Sequence, residues 1–174
     1  MALLMTLLRI IHIFSGVIWV GGAFLNVIFL QPTFRETAPE SQKVIQYLNG
    51  RTRFLVTIYS VSTLSLLSGL IMFAILSEFR PEYFATPYGT FLTIGALAGI
   101  VGWLMVIFGM RRMVKQIGAI GARIQAQGGP PTPDQAAEMG AISARLTRLG
   151  QISLIVLSIA LIGMSVAQYA GSLL

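Results

Sequence analysis

The chain has no cysteine among its 174 residues, which rules out disulfides, thiolate metal sites and covalent attachment of a c-type haem. It has a single histidine, so two imidazoles can meet only if two chains do. Charge is also scarce. Asp, Glu, Lys and Arg make up 10% of the residues, against about 25% in soluble domains. The six acidic residues all fall outside the long apolar runs, and nothing resembles a nucleophile–base triad, a phosphate loop or a carboxylate pair. Conventional hydrolase or kinase chemistry is therefore not expected, nor is independent catalytic activity.

What the sequence has in abundance is uninterrupted hydrophobicity. Apolar residues make up 55% of the chain, and mean hydropathy is +0.79. The segments 10–34, 54–77, 83–110 and 149–174 contain no Lys, Arg, Asp or Glu. Each is long enough to cross a hydrocarbon layer about 30 Å thick. The fold class that follows is all-α: a single integral membrane four-helix bundle, with spans at about 4–30, 54–77, 88–110 and 150–172. Arg9 interrupts the first apolar run and no small-residue cleavage site follows, so the first span reads as a retained anchor.

The net charge of +6 would suit nucleic acid only as a basic face on a soluble domain. Here the bases flank the spans instead. The loop after span 1 holds Arg35, Lys43, Arg51 and Arg53, and the stretch between spans 3 and 4 holds Arg111, Arg112, Lys115, Arg123, Arg145 and Arg148. The loop after span 2 holds only Arg80. By the positive-inside rule both basic loops are cytoplasmic and both termini lie outside, as expected for a bacterial inner-membrane protein. The expected partner is thus the lipid bilayer and no nucleic acid.

Local signals refine this outline. Thr37-Ala-Pro-Glu40 fits a capping box opening a short amphipathic interfacial helix at about 38–49. In span 2, Ser62, Ser65 and Gly69 line one side as a packing seam, with ion or copper translocation along these hydroxyls a weaker alternative. Pro81 and Pro87 break the chain before span 3, where Tyr83, Phe84 and Tyr88 suit an interfacial belt. Span 3 carries Gly95-Ala-Leu-Ala-Gly99 followed by Gly102, a close-contact signal for another helix of the same chain, a homo-oligomer or a larger membrane complex. No breaker intervenes after Met110 until Gly128-Gly129-Pro130-Pro131, and Thr132-Pro133-Asp134-Gln135 is a strong helix start. Helices 3 and 4 are therefore expected to extend into a cytoplasmic helical hairpin over 111–149. In it, Ile117, Ile120 and Ile124 face Ile142, Leu146 and Leu149, and Gly118, Gly121 and Gly140 allow close approach.

The candidate site centres on His12. With Gly16, Trp19 and Ala23 it recurs at i, i+4, i+7 and i+11, one helix face. A titratable side chain within a span is a functional candidate by default. It lies about 9 Å from the midpoint of span 1 toward the outer face. Met72 lies at a similar level on span 2, and Met164 is slightly deeper on span 4. An imidazole with a thioether or an open position is haem-iron chemistry, Arg9 one turn outward could pair with a propionate, and Gly16 would admit a porphyrin edge. The plainer alternative is that His12 hydrogen-bonds to a neighbouring helix and Gly16 is a packing notch. Trp19 reads as core or as a flat cofactor neighbour. Asn26 and Tyr59, at matching depth, read as a structural hydrogen bond.

His12-Ile-Phe-Ser-Gly-Val-Ile-Trp19-Val-Gly21-Gly22 resembles the first span of small bacterial membrane proteins of the CopD-like copper-resistance type and related domains of unknown function. More distantly it resembles HemJ-type protoporphyrinogen oxidases. About a dozen residues carry the likeness, an early histidine followed by Trp-x-Gly. The resemblance implies a b-type haem at His12 and a redox or electron-transfer role. Span 3 carries neither the further histidine nor the lysine of the HemJ type, so it does not imply that enzyme. Two expectations stand: a small haem-b protein, or a non-catalytic accessory or assembly subunit of a membrane complex.

Overall fold

A computed structural model describes residues 1–38 and 40–173. These residues are almost wholly helical, with no strand among them. Helix α1 runs Ala2–Glu36, α2 Ser41–Gly50, α3 Phe54–Ser77 and α4 Pro81–Ala85. Helix α5 runs Pro87–Gln127 and α6 Pro133–Ala167, with a last turn, α7, at Ala170–Leu173. Among the described residues, four helices (α1, α3, α5 and α6) are long and apolar enough to cross a membrane. At 1.5 Å per residue, the 41 residues of α5 reach about 60 Å, twice the thickness of the hydrocarbon layer.

The bundle is built as two antiparallel pairs. In the first, α1 and α3 pack with His12 against Gly69, Gly16 against Ser65 and Gly22 against Ile58. The two residue numbers in each contact sum to 80 or 81, the signature of one fixed antiparallel register. In the second pair, a side chain at Gly163 would stand 3.1 Å from the Gly95 Cα, and one at Gly102 would stand 2.7 Å from Leu157. Gly109 receives Leu149 in the same way. The glycines expected from the sequence to offer a seam to another copy, Gly95, Gly99 and Gly102, are therefore occupied by α6 of the same chain. Met164 fills the space beside Gly95 and reaches toward Gly99, 3.9 Å from where its Cβ would stand.

The two pairs meet at Trp19, Val106 and Leu157, all buried, where α1, α5 and α6 converge. Ile58, Tyr59 and Val61 of α3 close that cluster. A second tie is polar: Trp103 Nε1 donates to Thr63 Oγ1 at 3.1 Å, joining α5 to α3. Both α1 and α5 widen into a π turn, at Asn26–Leu30 and Met105–Met110. The first lies just past the Trp19 cluster, and the second contributes Val106 to it.

Two caps contrast. At α6 the box is complete: Gln135 N–H donates to Thr132 Oγ1 and Thr132 N–H donates to Gln135 Oε1. At Thr37 it does not form. The preceding helix continues to Glu36, so the Thr37 hydroxyl donates back to the Thr33 carbonyl at 2.7 Å. Helix α2 starts only at Ser41, with Glu40 as its N-cap, and Pro39 of the expected box lies outside the described residues. Beyond the bundle, α5 and the first turns of α6 pack through the fully buried Ile120 and an exposed Arg123–Glu138 pair at 3.4 Å. Gly118, Gly121 and Gly140 have no neighbour within 4 Å of a Cβ, so they do not set this contact as expected.

At the other end, α3 stops with Glu78 and Phe79 at positive φ. Tyr83 then packs edge-on to Phe73, Phe84 and Tyr88. Burial, reinforced by the neighbouring Tyr88, pushes the Tyr83 phenol above its ordinary range.

The register makes a sharp distinction among glycines. Gly163→Leu must push apart two backbones already in contact, and an unfolding series in detergent should show a loss of at least about 1–3 kcal/mol. Gly118→Ala meets nothing and should be neutral or gain up to about 1 kcal/mol from helix propensity. Equal stability of Gly163→Leu and wild type would refute the α5–α6 register.

Candidate functional site

His12 is where the first helix pair is tightest. Its Nδ1 lies 2.8 Å from the Ser65 carbonyl oxygen on α3. A carbonyl only accepts, so Nδ1 carries the proton and donates. That carbonyl is reachable for a reason that lies four residues further on. The side chain at i+4 ordinarily shields a helical carbonyl, and position 69 is glycine. The ring occupies the freed space: a Cβ at Gly69 would stand 2.7 Å from the His12 Cε1 and 2.9 Å from Nδ1. The carbonyl's second lone pair takes the imidazole proton without disturbing the helix ladder.

The contact is reciprocated. The Ser65 hydroxyl donates toward the His12 carbonyl at 3.4 Å, and it would stand 3.3 Å from a Cβ at Gly16. The notch at Gly16, expected to admit a porphyrin edge, is thus filled by Ser65. Buried Ser15 donates to the Ile11 and His12 carbonyls. Ser62 donates to the Tyr59 carbonyl and Ser68 to those of Leu64 and Ser65. These hydroxyls are 0–4% exposed and satisfied by nearby backbone, so the serine face of α3 is a packed seam and not an open polar path. The donor–acceptor pair at Ser65 replaces the hydrophobic drive that lipid does not supply.

The remaining candidates are not gathered around the imidazole. Three residues set Arg9 about 60° around the helix from His12. It is exposed and lines a groove of about 540 Å³ on the outward side of α1 with Met5, Ile13 and Val17. Among the described residues no carboxylate pairs with it. Trp19, about 10 Å along the helix from His12, is core, 4% exposed, and its Nε1 has no hydrogen-bond partner. Met72 is half-buried one turn beyond Gly69. Met164 is held between α5 and α6 at Gly95. The expected Asn26–Tyr59 bond is not made; the Tyr59 ring lies instead beneath the Arg111 guanidinium, 5.8 Å from its centroid.

Compared with protein-family models, curated proteins and solved structures, the chain matches none. The site must therefore be read from its own chemistry. Among the described residues, no three His, Cys, Asp or Glu side chains converge as a metal-binding group. What the site does hold is one imidazole in a defined tautomer. In the neutral form of the ring, a proton on Nδ1 leaves the lone pair on Nε2.

Sequence reasoning placed His12 and the small-residue face of α3 but not their pairing. Gly69 was the available signal: a glycine four residues after Ser65, on the face that already carried Ser62 and Ser65. Trp103 and Thr63 gave no comparable cue, because an indole and a hydroxyl forty residues apart share no pattern.

A double-mutant cycle tests the seat. His12→Ala should cost about 1 kcal/mol of stability for the lost interhelical bond. Gly69→Val should cost more, since its side chain collides with the ring. Combined, the two should cost less than their sum, because removing the ring removes the collision. Strict additivity in unfolding measurements would mean that the ring does not lie on Gly69.

Proposed function

We propose that the chain is a non-catalytic accessory or assembly subunit of a bacterial inner-membrane complex. Both termini lie outside, and the α5–α6 extension projects into the cytoplasm. The observation that carries this reading is how the chemistry-bearing groups of the spans are used. His12, Gly16, Ser65 and Gly69 join α1 to α3, and Gly95, Gly102 and Met164 join α5 to α6. The extension carries a group of unpaired cations. Among the described residues, only Arg123 of that region has a carboxylate partner, Glu138, while Arg112, Lys115, Arg145 and Arg148 have none. A rigid two-helix arm with unpaired cations suits docking to an acidic surface of another protein, and electrostatic steering would speed the encounter.

A second reading rests on one specific observation, the Nε2 lone pair. A histidine whose Nδ1–H is held by a carbonyl is oriented as metal-bound imidazoles are. This tautomer, with the resemblance to CopD-like and HemJ-type proteins, supports haem b at His12. The fit is partial. Met164 is committed to Gly95, and the Gly16 notch is filled by Ser65, so neither takes the place in a haem pocket expected of it. A haem with His12 as its only protein ligand would supply one-electron redox chemistry, with Nδ1–H bonded to Ser65 keeping the ring in place.

One preparation separates the readings. The tagged chain is expressed with haem supply, solubilised mildly from its own membranes, and examined by native electrophoresis and by reduced-minus-oxidised spectroscopy. The accessory reading expects a colourless chain in a species larger than itself. Arg112→Glu with Lys115→Glu should release it to its own size while leaving it in the membrane. A chain that migrates alone would overturn that reading. A Soret band lost in His12→Ala would establish the haem reading in its place.

A further inference from the structure

The turn that joins α5 to α6 carries more proline than its geometry needs. Gly128, at φ 70°, ends α5. Thr132 caps α6 and Pro133 opens it at N1. Those three residues make the turn and the helix start, and Pro130 and Pro131 are left over. All of 128–133 is exposed. The rings hold φ near −65°, and a residue that precedes proline is held to an extended ψ. Thr132 shows both, at φ −67° and ψ 159°. The chain does not bend at Pro130, Pro131 or Thr132. These residues therefore form one turn of polyproline II helix, about 9 Å long, and at three residues per turn Pro130 and Pro133 stand on one edge.

What such a segment can offer a partner is narrow. Three of its four residues have no N–H, and the fourth, Thr132, gives its own to Gln135 Oε1 at 2.9 Å. With no donor free, the segment cannot add a strand to a sheet edge. The Pro130 carbonyl accepts from Gln127 Nε2 at 2.8 Å, and the Gln127 amide is itself paired with that of Gln135, which braces the segment against both helices. The Pro131 carbonyl takes no hydrogen bond among the described residues. The tip thus presents pyrrolidine rings and an acceptor, already ordered, so little entropy is lost on contact. A surface that meets it must bring flat apolar faces for the rings and an N–H or O–H for the carbonyl, which tryptophan and tyrosine combine. The bilayer is out of reach, because α5 is about 60 Å long and carries the tip about 20 Å clear of the headgroups.

We propose that Pro130–Pro133 is a polyproline docking element, read by an aromatic-lined groove on a protein domain that lies off the membrane on the arm's side. The inference rests on the accessory reading and deepens it, by naming the contact point and the chemistry of the partner.

The test uses the full chain in its own membranes, with a photoreactive residue placed at Gly129 and the crosslinked sites mapped by mass spectrometry. The crosslink should fall in a groove of another protein that holds tryptophan or tyrosine. Excess polyproline peptide should compete it away. Pro130→Ala combined with Pro131→Ala should lower its yield about tenfold, and because Thr132, Pro133 and Gln135 are kept, helix content by circular dichroism should not change. A crosslink to lipid or only to the chain itself, one that polyproline does not displace, or one unchanged in the folded double variant would overturn the proposal. Native electrophoresis separates this failure from that of the accessory reading. A larger species that survives the double alanine variant but is lost in Arg112→Glu with Lys115→Glu keeps the accessory reading and overturns the docking element. A wild-type chain that migrates alone and crosslinks to nothing overturns both.

Discussion

A leucine gains almost nothing by leaving lipid tails for the flank of another helix, so four apolar helices have little reason to associate unless they approach closely. Close approach is what this chain arranges, and it does so by placing glycine where a partner's bulk must go. The ring of His12 lies on Gly69, Leu157 enters at Gly102, Leu149 at Gly109, and Gly95 meets Gly163 backbone to backbone. Each contact lets dispersion act over short distances along a fixed antiparallel register. The Trp19 cluster then needs only to join two pairs that are already formed.

Hydrogen bonding follows from the same geometry. In hydrocarbon an imidazole N–H must find an acceptor, and the helical backbone normally offers none sideways. Removing the side chain at position 69 exposes the Ser65 carbonyl, so one glycine provides both the space for the ring and the acceptor for its proton. The tautomer of His12 is therefore a consequence of packing. Whatever chemistry Nε2 supports is inherited from the way two helices were brought together.

Helix limits were legible in the sequence because they depend on local, one-dimensional signals. Charges end the apolar runs, prolines break the chain at 81 and 87, and Thr132 with Gln135 caps α6 as their spacing implies. Thr37 and Glu40 show why the same pattern fails elsewhere. A cap needs a free helix start, and α1 was still winding when it reached Glu36. Partner identity was not legible. Gly95-xxx-Gly99 announces a close contact without naming the other side, and Gly118 and Gly121 look similar on paper yet touch nothing. The Ser65 carbonyl could not be read at all, since every residue has one.

Unsatisfied groups are informative for the opposite reason. Most polar atoms in the spans are matched within the chain, as the serine hydroxyls of α3 are. An exception is costly in a medium without water, so it is retained only where folding tolerates it or something outside the chain completes it. Trp19 Nε1 belongs to the first kind: it lies inside the junction of the two pairs, where the large apolar body of the indole outweighs one unmet donor. Gln31 Oε1 belongs to the same kind: it is equally closed off, where the Gln31 amide lies against Gly150 of α6.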